Sequence, residues 1–316
     1  MNLKCASFFA GVGGIDLGFK QAGFNTIYAD EFDDYAADTF EQNFKIRVDR
    51  RDIRNVSTDE IPDFDILLAG FPCQAFSIAG YRQGFADKKG RGDLFFELVR
   101  IIKAKKPRIA FFENVKNLVS HDNGNTFKVI REQLDLLGYK FTPLVMNACE
   151  YGNVPQNRER IYIVAFRNES DYIKFKMPLP IPLTQTIKDV IDFDTEVDDK
   201  FYYSKRNCKF YDQLEKEIKN SDTIYQWRRV YVRENKSNLV PTLTANMGTG
   251  GHNVPIILTH TNKIRKLTPH ECFRVQGFPK DFKLPKQANC RLYKQAGNSV
   301  VVPVINRIAT EISKIF

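Results

Sequence analysis

Apolar positions in the first half of the chain follow two alternating rhythms. Short apolar runs at 3–9, 25–29, 64–69, 108–112 and 160–166 read as strands. Between them, 14–22, 33–43, 94–104 and 125–137 carry apolar residues at helical spacing; in the third stretch these fall at 94, 95, 98, 99, 101 and 102. Such alternation predicts a mostly parallel sheet with helices on both faces. Near 177 the rhythm stops. Met177-Pro178-Leu179-Pro180-Ile181-Pro182 is a stiff connector, and acidic, basic and aromatic clusters follow it without helical period. A second, smaller domain is expected there. Helical spacing returns over 300–315, and this tail is expected to pack on the first domain. The division is 1–180, 181–293 and 294–316.

Composition narrows the classes. With 43% hydrophobic and 27% charged residues, the 316-residue chain is an ordinary globular protein. Its apolar runs fall short of the roughly 18 residues a membrane helix needs, and glycines break the opening segment too early for a secretory signal. Six cysteines without a Cys-x-x-Cys pair argue against a zinc site and for a reducing, cytoplasmic setting. Neither a metal nor a membrane is therefore expected as a partner. Charge is uneven: residues 1–170 balance, while 171–293 carry seven of the nine net positive charges. A phosphate-binding surface needs such a local surplus, although a solvated basic face would also show it.

Candidate chemistry clusters at the predicted strand ends. Gly11, Gly13 and Gly14 follow the first strand in Phe8-Phe9-Ala10-Gly11-Val12-Gly13-Gly14. Glycines there permit a tight turn and close approach of a ligand, but the spacing is not G-x-G-x-x-G, so a phosphate-rich ligand is not implied. Glu31, about 20 residues past that turn, can accept hydrogen bonds from a ribose. Asp52, after a third candidate strand, can bond an adenine amino group. Each acid alone is an ordinary surface charge; together they describe a nucleoside pocket. Cys73 ends the strand 64–69 in Gly70-Phe71-Pro72-Cys73-Gln74, where open α/β sheets place their sites. A lone cysteine is more often a small buried hydrophobe. The loop from 74 to 93 is Gly-rich and basic, with Arg82, Lys88, Lys89 and Arg91.

These motifs, in this order, resemble the DNA cytosine-5 methyltransferases of bacterial restriction–modification systems. The match spans roughly 3–166 and 264–304. It implies an S-adenosylmethionine-dependent, Rossmann-like α/β domain with a smaller target-recognition domain. It places the cofactor against Phe9, Gly11, Gly13, Gly14, Glu31, Phe32, Asp52, Ile53, Leu94 and Asn298, the last in Gln295-Ala296-Gly297-Asn298-Ser299. Cys73 falls on the nucleophile of the family's Pro-Cys-Gln triplet. Glu113 falls in its Glu-Asn-Val motif, and Arg158 and Arg160 in its Gln-x-Arg-x-Arg motif. Alternating along a strand, these two arginines should point to one face. Thr242 and Leu243 match a pair near the target base.

The chemistry implied is addition of the Cys73 thiolate to carbon 6 of cytosine, which makes carbon 5 nucleophilic toward a methyl donor. Glu113 would protonate or hydrogen-bond ring nitrogen 3. The target base must leave the duplex, and the 74–93 loop is expected to close over it. Sequence reading is expected from 181–263, where Tyr225-Gln226-Trp227-Arg228-Arg229-Val230-Tyr231-Val232-Arg233 mixes aromatic and basic residues. Arg228 and Arg229 suit base edges, Arg233 a phosphate. Trp227 and Tyr231 could instead be core. Double-stranded DNA is the expected partner of a monomeric enzyme, with a cognate restriction endonuclease acting independently. Two alternatives stand beside this: a tRNA methyltransferase, whose usual Cys-Phe-Thr triplet is absent here, and a catalytically silent DNA-binding regulator.

Overall fold

The computed structural model describes residues 3–72, 94–228, 230–249 and 254–316. Two compact units emerge: Met1–Met146 with Glu159–Leu179 and Ile305–Phe316, and Asn147–Arg158 with Pro180–Val304.

The first unit is built on strands β1 (Lys4–Phe8), β2 (Asn25–Asp30), β3 (Ile66–Ala69), β4 (Ile109–Val115), β5 (Lys140–Asn147) and, beyond the short β6 (Gln156–Asn157), β7 (Glu159–Phe166). Among the described residues their order is β2-β1-β3-β4-β7-β5. β1 runs parallel to both β2 and β3, and β3 parallel to β4. β7 is antiparallel to β4. The sheet is thus mostly parallel, and its central strand β3 is apolar and buried at every position, as a strand covered on both faces must be. Helix α1 (Gly14–Gln21) follows β1 and α2 (Asp34–Phe44) follows β2. The Asp33 carboxylate caps α2 by accepting from the Tyr35 backbone N–H at 3.1 Å. The helix Val302–Ser313 approaches α1 so closely that a Cβ on Gly18 would stand 2.6 Å from Ile305. β5, which the apolar pattern does not announce, is an edge strand with mostly half-exposed side chains and a proline at 143.

The second unit contains a small sheet formed by β8 (Tyr225–Trp227), β9 (Val232–Glu234), β11 (Ile256–Leu258) and β12 (Ile264–Lys266), while β10 (Val240–Pro241) pairs with β6. Tyr225, Trp227, Leu214, Ile218, Ile256 and Ile264 form its core. Arg265, fully buried, makes a two-pronged contact with Glu271 (2.8 Å on each side). Glu271 in turn accepts from the backbone and hydroxyl of Thr268, closing a capping box on the helix Pro269–Val275.

Candidate active site and reading surface

The approach to the candidate nucleophile is rigid. Phe71, 3% exposed, packs on Phe95 and Phe112 with ring centroids 5.4 and 6.1 Å away. Buried Asn114 donates from Nδ2 to the Phe71 carbonyl (2.9 Å) and accepts the Val115 N–H on Oδ1 (2.8 Å). β4 therefore fixes the chain one residue before Pro72. Cys73 itself, with Arg82, Lys88, Lys89 and Arg91 and the loop they share, lies outside the described residues.

Glu113 leaves β4 beside this chain. A Cβ built on Gly70 would stand 3.7 Å from its Oε2, so the carboxylate lies over the end of β3. Its Oε1 meets Arg160 Nε at 3.1 Å, with both side chains largely buried. Register explains the pair: Val115 faces Arg160 across the antiparallel ladder, and Glu113 is two residues from Val115 on the same face.

Arg158 differs from expectation. β6 ends at Asn157 and β7 begins at Glu159, so the two arginines are not members of one continuous strand and do not share a face. Arg158 is 3% exposed and donates to the carbonyls of Leu243 (2.8 Å), Gly297 (3.1 Å) and Ser299 (2.5 Å). It clamps two distant backbone segments of the second unit, one at Leu243 and one at Gly297–Ser299.

The expected cofactor residues sit at the ends of β1 and β2. Phe9, Gly11 and Gly13 all adopt positive φ (53°, 57° and 84°). At Gly13 a Cβ would lie 2.2 Å from the Phe44 ring, so this turn excludes other residues on two grounds. The Glu31 carboxylate accepts from the backbone N–H of Gly11 and of Asp33, each at 2.8 Å, tying the two turns together. Each carboxylate oxygen can accept a second hydrogen bond, as a ribose diol would require. Open space in front of Gly11 and the 71% exposed ring of Phe32 fit an adenosyl group beside Glu31. Asp52 caps the turn Ile53–Asn55 and pairs with Arg54, whose hydrogen bond holds its carboxyl below the usual range. The Ile53 side chain is core, while its carbonyl accepts from Arg100 at 3.1 Å. Leu94 opens the helix Leu94–Lys105 and packs against the main core. Asn298 is exposed at the end of the helix Asn289–Asn298 in the second unit.

Sequence reasoning missed Asp30, immediately before Glu31. It is 2% exposed, and among the described residues its Oδ2 has no hydrogen-bond partner. Burial, then the charges of Asp49, Glu31 and Asp52, push its carboxyl up to about 8. The run of two acids at a strand end was the available signal. Asp16 is a second buried acid, pushed up to about 6 by burial while Ser7 and Thr26 donate to it, each at 2.9 Å.

In the second unit Thr242 donates its hydroxyl to the Asn157 carbonyl (2.6 Å). Leu243, expected near the target base, is only 1% exposed; its side chain is buried and its carbonyl is held by Arg158. Trp227 is core, stacked 4.2 Å from Phe210. Tyr231 is not: it is 52% exposed beside Val230 at 76%. Arg228 and Arg233 are exposed; Arg229 lies outside the described residues. Among the described residues no cluster of His, Cys, Asp or Glu could hold a metal, and no helix is long and apolar enough to cross a membrane.

Comparison with known proteins now bears on this arrangement. The family described as C-5 cytosine-specific DNA methylase matches residues 3–314. The chain is 61% identical over 313 residues to Type II methyltransferase M.Bsp6I of Bacillus sp. (strain RFL6), covering 99% of each protein. It is 40% identical over 322 residues to Type II methyltransferase M.HhaI of Haemophilus parahaemolyticus, covering 98% of this chain and 94% of the other. Among solved structures, a DNMT2 mutant of Spodoptera frugiperda superposes with a TM-score of 0.76 at 19% identity, over 99% of this chain and 100% of that one, which speaks to the fold.

Proposed function

The chain belongs to the C-5 cytosine-specific DNA methylases, enzymes that methylate carbon 5 of cytosine in DNA from S-adenosylmethionine, and on that premise we propose how its own residues share the work. Cys73 is the nucleophile that adds to carbon 6 of the flipped cytosine. Glu113 hydrogen-bonds or protonates ring nitrogen 3 as that addition proceeds. Arg160, which also donates from Nη1 to the Glu159 carbonyl, orients the Glu113 carboxyl and stabilises charge on the substrate carbonyl. Arg158 is a positioning residue that holds the Leu243, Gly297 and Ser299 backbone. The bound cofactor supplies an electrophilic methyl group. Around it, Glu31 engages the ribose, Phe32 covers the adenine, and Phe9 with the Gly11–Gly14 turn leaves room for both.

One observation supports this reading above the rest: Glu113 and Arg160 meet beside a chain that Asn114 pins just before Pro72-Cys73. Relatives named Type II methyltransferases support a role as the modifying half of a restriction–modification system. In our reading the protein acts as a cytoplasmic monomer beside a separate endonuclease. The test is methyl transfer from tritiated cofactor to duplex DNA and, in parallel, to tRNA. Duplex DNA should be the acceptor. A 5-fluorocytosine duplex should trap the wild type covalently and Cys73→Ala not at all. An adduct formed by Cys73→Ala would assign the attack to another residue.

A further inference from the structure

The helix Asn289–Asn298 ends without a left-handed glycine turn, and groups from outside it take up its last carbonyls. The Gln295 carbonyl accepts the Ser299 N–H at 3.0 Å. The Ala296 carbonyl accepts from Gln276 Nε2 at 2.8 Å, and those of Gly297 and Ser299 accept from Arg158. Gln276 acts a second time through its own main-chain carbonyl, which accepts the Val302 N–H at 2.9 Å. The stretch 296–302 is thus held at Ala296, Gly297, Ser299 and Val302. Every residue in it is buried except Asn298. Gly297 allows no shift toward its neighbour, since a Cβ there would stand 2.2 Å from the Thr244 main chain.

The side chain that holds Ala296 is itself oriented. Gln156 and Gln276 are both fully buried. Gln156 donates from Nε2 to the Val275 carbonyl at 2.9 Å and to Gln276 Oε1 at 3.1 Å. A main-chain carbonyl only accepts, so this end of Gln156 must be its NH2 group. The Gln276 atom it meets must then be oxygen, which leaves the Gln276 NH2 group facing Ala296. Each amide dictates the next, and the relay has one orientation. All of its members belong to the second unit.

We infer that Gln276 is a positioning residue for the methyl donor: it fixes the end of this helix so that Asn298 presents its amide to the cofactor in one orientation, and Gln156 fixes Gln276. The inference rests on the reading that Asn298, the one expected cofactor residue in the second unit, contacts S-adenosylmethionine. Neither glutamine touches the cofactor. A helix end whose carbonyls lack partners frays. A frayed end leaves Asn298 to be ordered when the cofactor arrives, and that ordering lowers affinity.

Calorimetry of S-adenosylmethionine binding to the full chain, without DNA, tests this on wild type, Asn298→Ala, Gln276→Met and the double variant. Methionine keeps the length and burial of glutamine but cannot donate. Asn298→Ala should weaken binding by about tenfold, and Gln276→Met by about three- to tenfold. In the double variant Gln276→Met should add less than about twofold, because its effect passes through Asn298. A merely structural role would multiply the two losses. Gln276→Glu gives a second readout and carries the test if thermal unfolding shows that Gln276→Met does not fold. Its carboxyl donates to the Ala296 carbonyl only when protonated, so affinity relative to wild type should recover as pH falls and be lost as pH rises. Multiplied losses, or wild-type affinity in the Gln276 variants or in Asn298→Ala, overturn the proposal. Methyl transfer to duplex DNA is scored separately, so failure of the function and failure of this inference are distinct results.

Discussion

Glu113 and Arg160 contact each other across β4 and β7, strands that run in opposite directions although most of the sheet is parallel. The reversed strand is what delivers an arginine from the far end of the chain's first half to the same edge as the end of β3. Replacing Glu113 with Gln keeps the shape and removes the carboxylate. Methyl transfer should fall by about 100-fold or more, the scale of a lost general acid, while calorimetry should find cofactor affinity unchanged. Arg160→Ala should also lower turnover. Retention of more than about a tenth of wild-type turnover by Glu113→Gln would remove the residue from the chemistry.

Arg158 calls for a different readout. Removing its guanidinium leaves three buried carbonyls without their donor. Arg158→Ala should cost about 3 kcal/mol or more of stability. Urea denaturation checks this, and a midpoint within error of wild type would contradict the clamp.

Glu31→Ala should do two things at once. Losing the cofactor contact should weaken S-adenosylmethionine binding by about ten- to a hundredfold. Losing the acceptor for the Gly11 and Asp33 N–H groups should also lower the melting temperature without cofactor. Calorimetry and a thermal scan measure the pair. Unchanged cofactor affinity would take Glu31 out of the pocket.

Asp30 gives stability a pH dependence. Its carboxyl is pushed from the ordinary range up to about 8 by burial and by Asp49, Glu31 and Asp52. The folded state therefore binds this proton more tightly than the unfolded chain. The associated stability is present below about pH 4 and is lost as pH rises through about 8. Asp16, pushed up to about 6, acts in the same sense over a lower window. Asp30→Asn should flatten the decline and be more stable than wild type at pH 8.5 by at least about 1 kcal/mol. Equal pH profiles for the two proteins would show that Asp30 ionises normally.

The first-unit strands and helices were legible because each buries an unbroken apolar run or a helical stripe, and β3 carries both signals of a central strand. β5 was not: as an edge strand it leaves most side chains half-exposed, so no apolar run marks it. Strand direction was equally hidden, since β7 would show the same buried residues if it ran parallel to β4. At the site, Glu31 could be read from its place just after β2, while Glu113, two residues inside the end of β4, was marked only by the Glu-Asn-Val motif. Arg158 could not, because alternation assumes a continuous strand and the chain breaks at that residue. Leu243 came with Thr242 from a matched pair, and such a match does not say which side chain turns inward; here that of Leu243 does. Trp227 and Tyr231 looked equivalent in sequence, and only the register of β8 with β9 separates them.

The three stretches that make up the first unit have a consequence for synthesis. Ile305, whose approach to Gly18 leaves no room for a side chain there, leaves the ribosome long after Gly18 does. The nascent polypeptide can form β1 to β4 early, but α1 waits with an uncovered surface until residues 305–316 emerge. Until then that surface is available to chaperones or to a neighbouring nascent chain. Losing residues 305–316 would therefore spare every candidate catalytic side chain and still leave a protein that cannot complete its first unit.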